Sequence, residues 1–214
     1  MKSGSVAVAT LLLAIAFCGC GGSSASSSTT TAKATTTSSG TSSAPVTPPP
    51  GTPAALRGAH GGVLLAGDLA GFVPHGYRAP STSAQSWVAE FPPAQRASEA
   101  ARLNALGFIA GITEQLAPAK GAVNEEAISL VEQFRSAHGA SAEIAAQIKQ
   151  ALAHGESAFA AAGIPGARGF GSSRDANIAF SVGAYYYLVG FESGTATRAQ
   201  LIAAAQSLYR RVGG

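Results

Sequence analysis

The chain has 214 residues, of which 46% are hydrophobic, and its formal net charge is +3 at pH 7. From residue 54 onward twelve Lys or Arg stand against eleven Asp or Glu, and this balance argues against binding nucleic acid through a basic surface. Both cysteines, Cys18 and Cys20, lie near the N-terminus, which excludes disulfides and thiol chemistry from the rest of the chain.

The first twenty residues have the layout of a secretory signal. Lys2 supplies a positive charge, and residues 6–17 are apolar apart from Thr10. A helix of this length is too short for a hydrocarbon core of ~30 Å, so a permanent transmembrane helix is disfavoured. Gly19 and Cys20 follow directly, before a run of Gly and Ser.

In Gly19 and Cys20 the chain resembles the bacterial lipoprotein family, whose signal ends in a small residue followed by the cysteine that receives diacylglycerol. The resemblance covers residues 1–20 alone. It implies lipidation of Cys20 and anchoring to the extracytoplasmic face of the cell membrane, and two or more acyl chains would make that anchoring stable. Residues 14–16 also form an A-x-A site, and cleavage there would instead release a soluble secreted protein.

Residues 21–53 form a linker in which 18 of 33 positions are Ser or Thr. Such a segment has too little apolar surface to offset the entropy cost of ordering, so we expect a disordered tether. It would span about 30 Å on average and about 100 Å at most. Prolines between 45 and 53 would stiffen its distal end.

Residues 54–214 predict a single globular domain. Pro92 and Pro93 open a helix that Gly107 ends. When the sequence is compared with itself at a shift of 43 residues, 87–91 aligns with 130–134, and an Ala-rich stretch follows each segment. This similarity suggests a repeated strand-helix unit, and it favours a strand over a helix at 127–134. In chain order the first half predicts a strand at 61–65, a turn at 67–71, loop up to 83, a strand at 84–91, a helix at 94–106, and strands at 107–116 and 127–134.

The second half ends in the clearest elements. Strands at 177–182 and 185–191 alternate around Gly183-Ala184 and predict a hairpin, and Thr197 with Gln200 forms a capping box for a final helix. Before them the pattern predicts a helix at 141–154 and a mobile loop at 156–173. The predicted fold class is α+β, an antiparallel-leaning sheet packed against helices, with a C-terminal hairpin and then a helix.

Motifs of catalysis and metal binding are missing from the sequence. There is no G-x-S-x-G, no S-x-x-K and no P-loop, and the adjacent Glu125 and Glu126 would diverge rather than act as a pair. We therefore expect no enzymatic activity, no metal and no cofactor. The four histidines lie far apart, without the spacing of metal ligands; they are His60, His75, His138 and His154.

Three residues are candidates for ligand contact. Arg168 and Arg174 flank a Gly-rich stretch and would suit an anion. Alternation along the last strand puts Tyr185 and Tyr187 on one face and Tyr186 on the other. One interpretation places Tyr185 and Tyr187 in a core covered by helices, and the functional one has Tyr186 lining a groove.

The sequence therefore predicts a non-enzymatic, membrane-anchored lipoprotein whose domain binds or senses an extracytoplasmic protein, a wall polymer or a small ligand. In style it is similar to the extracytoplasmic sensor and accessory lipoproteins of bacteria. The alternatives are an enzyme of the cell envelope with an unusual site and a structural or assembly lipoprotein. An apolar groove would favour binding, a concave cluster of titratable groups would favour the enzyme, and an exposed apolar patch would favour assembly.

Overall fold

A computed structural model describes residues 56, 62–64, 67–78, 80–120, 127–192 and 196–213. The strands are β1 (Phe72–Tyr77), β2 (Phe108–Pro118), β3 (Ala127–Phe134), β4 (Ser157–Phe159), β5 (Arg168–Gly171), β6 (Ala176–Val182) and β7 (Tyr185–Phe191). The helices are α1 (Ala84–Trp87), α2 (Pro93–Leu106), α3 (Ala137–Ala153) and α4 (Arg198–Gly213), and a 3-10 helix at Val88–Glu90 follows α1 directly.

The strands form one antiparallel sheet in the order β1-β2-β3-β7-β6-β5-β4. The predicted α+β class is confirmed. Among the described residues, no helix has both the length and the apolar character that crossing a bilayer requires.

The two faces of the sheet carry separate hydrophobic cores, because side chains alternate along each strand. Helix α4 covers one face and buries Leu201, Ala205 and Leu208 against it. On the other face, α2 and α3 bury Leu103 and Ile144 together with aromatic residues of β2 and β3. The sheet is therefore the middle layer of three.

Several predicted boundaries are confirmed, and their residues show why. Gly107 ends α2 in the left-handed conformation, with φ of +81°. Gly183 begins the turn between β6 and β7 with φ of +56°, as a tight hairpin turn requires. At the start of α4, the Thr197 N–H donates to Gln200 Oε1 at 2.7 Å, and the Gln200 N–H donates to Thr197 Oγ1 at 3.2 Å.

The predicted strand at 84–91 is wrong, because this segment is α1 and the 3-10 helix. Ser83 is the N-cap, and its side chain accepts a hydrogen bond from the Ser86 N–H at 3.2 Å. Trp87, Val88 and Phe91 favour strands intrinsically, but here they pack between the sheet and α2. The suggested strand-helix repeat fails with it, since its first copy is helical.

Two predicted loops contain strands. Segment 72–83 includes β1, where Pro74 is tolerated because β1 is an edge strand with an irregular register at that point. Segment 156–173 includes β4 and β5, whose glycines permit close packing: a Cβ at Gly169 would collide with the Phe159 ring.

Residues 62–64 form no strand. The signal, the linker, Cys20, His60, Glu125 and Glu126 lie outside the described residues.

Candidate functional site

A groove with a volume of about 360 Å³ opens on the sheet face that carries α1, α2 and α3. Ile128 and Leu130 on its floor are only half-buried, although β3 is an interior strand. Ser129 and Val131, which point to the opposite face from the same strand, are fully buried. The groove is therefore the part of this sheet face that the helices leave uncovered.

Strand register brings the floor together from four strands. Ile128 of β3 lies opposite Gly190 of β7, which lies opposite Asn177 of β6, which in turn lies opposite Phe170 of β5. The next row across the same face contains Thr113, Leu130 and Leu188. Because these residues are spread from position 113 to position 190 of the sequence, only the folded sheet makes them neighbours.

Trp87, the single tryptophan of the sequence, forms one wall of the groove. Its indole lies against the backbone of β2 at Gly111, where a Cβ would come within 2.9 Å of the ring. Its Nε1–H donates a hydrogen bond to the Glu132 carboxyl group. The glycine and the carboxyl group together hold the ring in one position, while Phe108 lies 5.8 Å away, centroid to centroid.

A buried polar cluster lies behind this wall. Arg102 of α2 binds the Glu143 carboxylate of α3 through both terminal nitrogens and binds Glu99 through Nε at 2.8 Å. Gln147, which also lines the groove, donates to Glu143 Oε1 at 2.6 Å. These bonds join α2 to α3 and position the end of the groove that Gln147 forms.

Glu132 and Tyr186 complete this cluster from the sheet, as direct neighbours across β3 and β7. Burial raises the pKa of Glu132 well above its usual range, and the nearby Glu143 raises it further, so the neutral carboxyl is favoured. Burial, with Glu143 and Glu132 nearby, also raises the pKa of Tyr186. Within the part of the chain that the structure describes, the Tyr186 hydroxyl and one Glu132 oxygen have no hydrogen-bond partner.

The mouth of the groove contains one cation and one anion among the described lining residues, Arg78 and Glu90, and they form an ion pair with each other. Their charges therefore compensate within the protein.

Asn177 contributes a buried carboxamide to the groove floor. It is 6% exposed, and its amide lies over Gly190, in the space that a Cβ there would need. No side-chain hydrogen bond joins it to the described part of the chain.

The opposite face of the sheet contains a second buried carboxyl group. Glu114 of β2 is fully buried, and Tyr77 of β1 is its cross-strand neighbour. Burial raises the pKa of Glu114 to about 7, although the Tyr77 hydroxyl and Arg211 oppose the shift. Arg211 pairs with Asp68 at 3.0 Å and donates to the Val63 carbonyl at 2.7 Å, which ties the end of α4 to the segment before β1.

The structure separates the three residues proposed as ligand contacts. Tyr186 is buried in the core on the groove side of the sheet, and it is one of the residues that line the groove. Arg168 and Arg174 are exposed and do not line it, and Arg168 donates to the Ala167 carbonyl at 3.2 Å. Tyr187 packs in the α4 core with Tyr185 beside it.

The described part of the chain has no cluster of three or more His, Cys, Asp or Glu side chains that could hold a metal ion. His75 lies on β1, while His138 lies in the first turn of α3 and His154 is the C-cap at the other end of that helix.

Sequence reasoning missed the groove residues Trp87, Asn177 and Leu188. The predicted strand at 84–91 gave no reason to expect the Trp87 ring in the wall of a groove. The alternation along 177–182 does mark Asn177 as a residue of the polar face, so a signal existed. Its pairing with Gly190 follows only from strand register.

No model of a known protein family matches the sequence, and neither a curated protein nor a solved structure is significantly similar to it.

Proposed function

We propose that this protein is an extracytoplasmic lipoprotein, anchored to the membrane through Cys20, whose domain binds a small, mainly apolar ligand in the groove beside Trp87. The proposal joins the signal and linker expected from the sequence to the one concave, apolar feature described above. The observation that carries the binding function is the floor of the groove, where Ile128 and Leu130 stay half-buried in the middle of the sheet, beside the buried Leu188 and Phe170.

The size and lining of the groove support a small-molecule site. Its volume lies in the lower part of the range of about 300–1,000 Å³ typical of such sites, and an apolar lining with few polar groups is their usual composition. Trp87 and Phe91 add aromatic surface to the walls. The linker would let the domain meet ligands away from the membrane surface, over the reach of about 30 Å expected for such a chain.

A dye-binding experiment tests this function. The full chain carrying Cys20→Ser, which removes the acylated residue, is titrated with N-phenyl-1-naphthylamine, an uncharged aromatic dye whose emission rises in apolar surroundings. We expect saturable binding accompanied by quenching of Trp87 emission, because the ring lines the groove.

Two matched variants locate the bound dye. Ala89 is exposed and lines the groove, so Ala89→Phe should block it without disturbing a core. Ala101 is exposed on α2 and does not line the groove, so Ala101→Phe serves as the control. Absence of saturable binding, or equal binding by both variants, would contradict the proposed function.

A further inference from the structure

The strongest indication of what the groove binds is the carboxamide of Asn177. It lies in the floor, 6% exposed, between apolar neighbours, with Phe170 beside it on β5. Buried amides in native proteins are nearly always hydrogen-bonded, because an unpaired one loses its bonds to water without replacement. Asn177 has no side-chain bond to the described residues, and its amide atoms are not among the fully buried unpaired ones, so the amide opens on the groove, where a group on a ligand can pair with it.

The chemistry of an amide limits what that group is. A carboxamide offers two N–H donors and one carbonyl acceptor side by side. A ligand group with an adjacent acceptor and donor satisfies both at once, whereas a carboxylate offers acceptors alone and an ammonium donors alone. The complementary group is therefore amide-like.

The charges around the groove favour an uncharged ligand. At the mouth, Arg78 and Glu90 already pair with each other. Behind the Trp87 wall, one guanidinium, that of Arg102, serves both Glu99 and Glu143, so this region repels an anion. A cation would have to leave water for a floor of aliphatic and aromatic carbon without a free carboxylate partner among the lining residues.

We propose that the groove takes an uncharged, mainly apolar small molecule whose single amide-like group pairs with the Asn177 carboxamide. The apolar body lies on Leu130 and Leu188, against the indole of Trp87. This assignment rests on the proposed function, since it names the ligand class of the same groove. The volume of about 360 Å³ favours a small molecule over an extended peptide, which would need a longer channel.

Three probes with the same body and different head groups test the assignment. They are 4-phenylbutanamide, 4-phenylbutanoate and 4-phenylbutylamine, which are uncharged, anionic and cationic at neutral pH. Binding to the full chain carrying Cys20→Ser is followed through Trp87 emission, excited where the phenyl group does not absorb. We expect the amide to bind about tenfold more tightly than either charged probe, as one satisfied buried hydrogen-bonding group predicts.

Variants assign the preference to Asn177. Asn177→Ala should remove the advantage of the amide and leave the charged probes unchanged. Asn104→Ala changes an exposed residue on α2 outside the groove and should keep the full preference. If Asn177→Ala does not fold, as judged by its circular dichroism and melting, Gly190→Ala provides the same test, because its methyl group would displace the amide.

The outcomes separate the two proposals. The proposed ligand class is wrong if all three probes bind equally, if a charged probe binds more tightly, or if the preference for the amide survives in Asn177→Ala. In each of these cases, saturable dye binding in the groove would still support the binding function. If neither the dye nor any probe binds, both proposals are wrong.

Discussion

Asn177 and Gly190 face each other across β6 and β7, and the Asn177 side-chain oxygen occupies the space that a Cβ at position 190 would fill. Gly190 has no left-handed backbone that would demand glycine, so its role here is to leave room for the amide. The pair places a carboxamide in a mainly apolar floor.

Gly190→Ala should therefore weaken binding of 4-phenylbutanamide about tenfold, because the amide must leave its position. Binding of the uncharged dye should change little, since the apolar floor remains. The measurement is the same Trp87 titration. Gly76→Ala, at a strand glycine with open space around it, is the matched control and should bind as the parent does. Unchanged amide affinity in Gly190→Ala would remove Asn177 from the site.

Gly111→Ala should displace the Trp87 ring. A Cβ at position 111 would lie 2.9 Å from two indole carbons, so the ring must shift, and a shift disturbs its hydrogen bond to Glu132. We expect a red-shifted tryptophan emission and a loss of about 1–3 kcal/mol in the free energy of unfolding, as for other overpacked sites. Emission spectra and denaturant titrations measure both. A native spectrum in a stable variant would show that the indole does not lie on Gly111.

The elements that local sequence determines were predictable. Gly107, Gly183 and the pair Thr197 and Gln200 act within a few residues of their own position, and the structure confirms each of them. The strand predicted at 84–91 failed because the preference of Trp87 and Val88 for strands was outweighed by packing against the sheet and α2.

The groove could not be predicted from local pattern. Its floor depends on the order β3-β7-β6-β5, which places residues 128, 188 and 177 on one sheet face although they are far apart in the sequence. Tyr186 was proposed because of alternation within a single strand, and that signal was sufficient to place it on the groove side. Arg168 and Arg174 were chosen for charge alone, and charge does not determine where a side chain points.

Arg102→Leu should destabilise the domain by about 3 kcal/mol, because it leaves the fully buried Glu143 carboxylate without its cation. The double variant Arg102→Leu, Glu143→Leu should recover most of this loss, since the fully buried carboxylate is removed together with its cation. Thermal unfolding of the single and double variants, compared with Glu143→Leu, measures the coupling. Equal stability of the parent and Arg102→Leu would contradict the buried pairing of α2 with α3.

Glu114→Gln should change how stability depends on pH. The folded pKa of Glu114, about 7, lies above the ordinary 4.5, so the folded state holds a proton that the unfolded state releases. This residue therefore lowers stability progressively as pH rises from about 4.5 to about 7, by roughly 3 kcal/mol in total. In Glu114→Gln that part of the pH dependence should be absent.

The measurement for Glu114 is the difference in unfolding free energy between Glu114→Gln and the parent at a series of pH values. The difference should favour the variant more at pH 7 than at pH 5. Burial also raises the pKa of Glu132 and Glu156, and these groups remain in both proteins, so the difference isolates Glu114. A constant difference over this range would show that Glu114 titrates normally.

Cys20→Ser should move the protein from the membrane fraction to the soluble fraction, because the acylated thiol is the expected anchor. The parent protein, expressed in a bacterium that processes lipoproteins, should carry the mass of the acyl chains at its mature N-terminus. Cys18→Ser is the matched control and should stay in the membrane fraction. Membrane retention of Cys20→Ser with an unaltered mass would refute the lipid anchor.

The most direct test of the groove is an NMR titration with 4-phenylbutanamide of the full chain carrying Cys20→Ser. The signal to follow is the indole N–H resonance of Trp87, the single tryptophan of the sequence. We expect this resonance and the side-chain amide resonances of Asn177 to shift together and to saturate at the same probe concentration, because both residues line one groove. Saturable binding that leaves both sets of resonances in place would contradict the assignment of the groove as the ligand site.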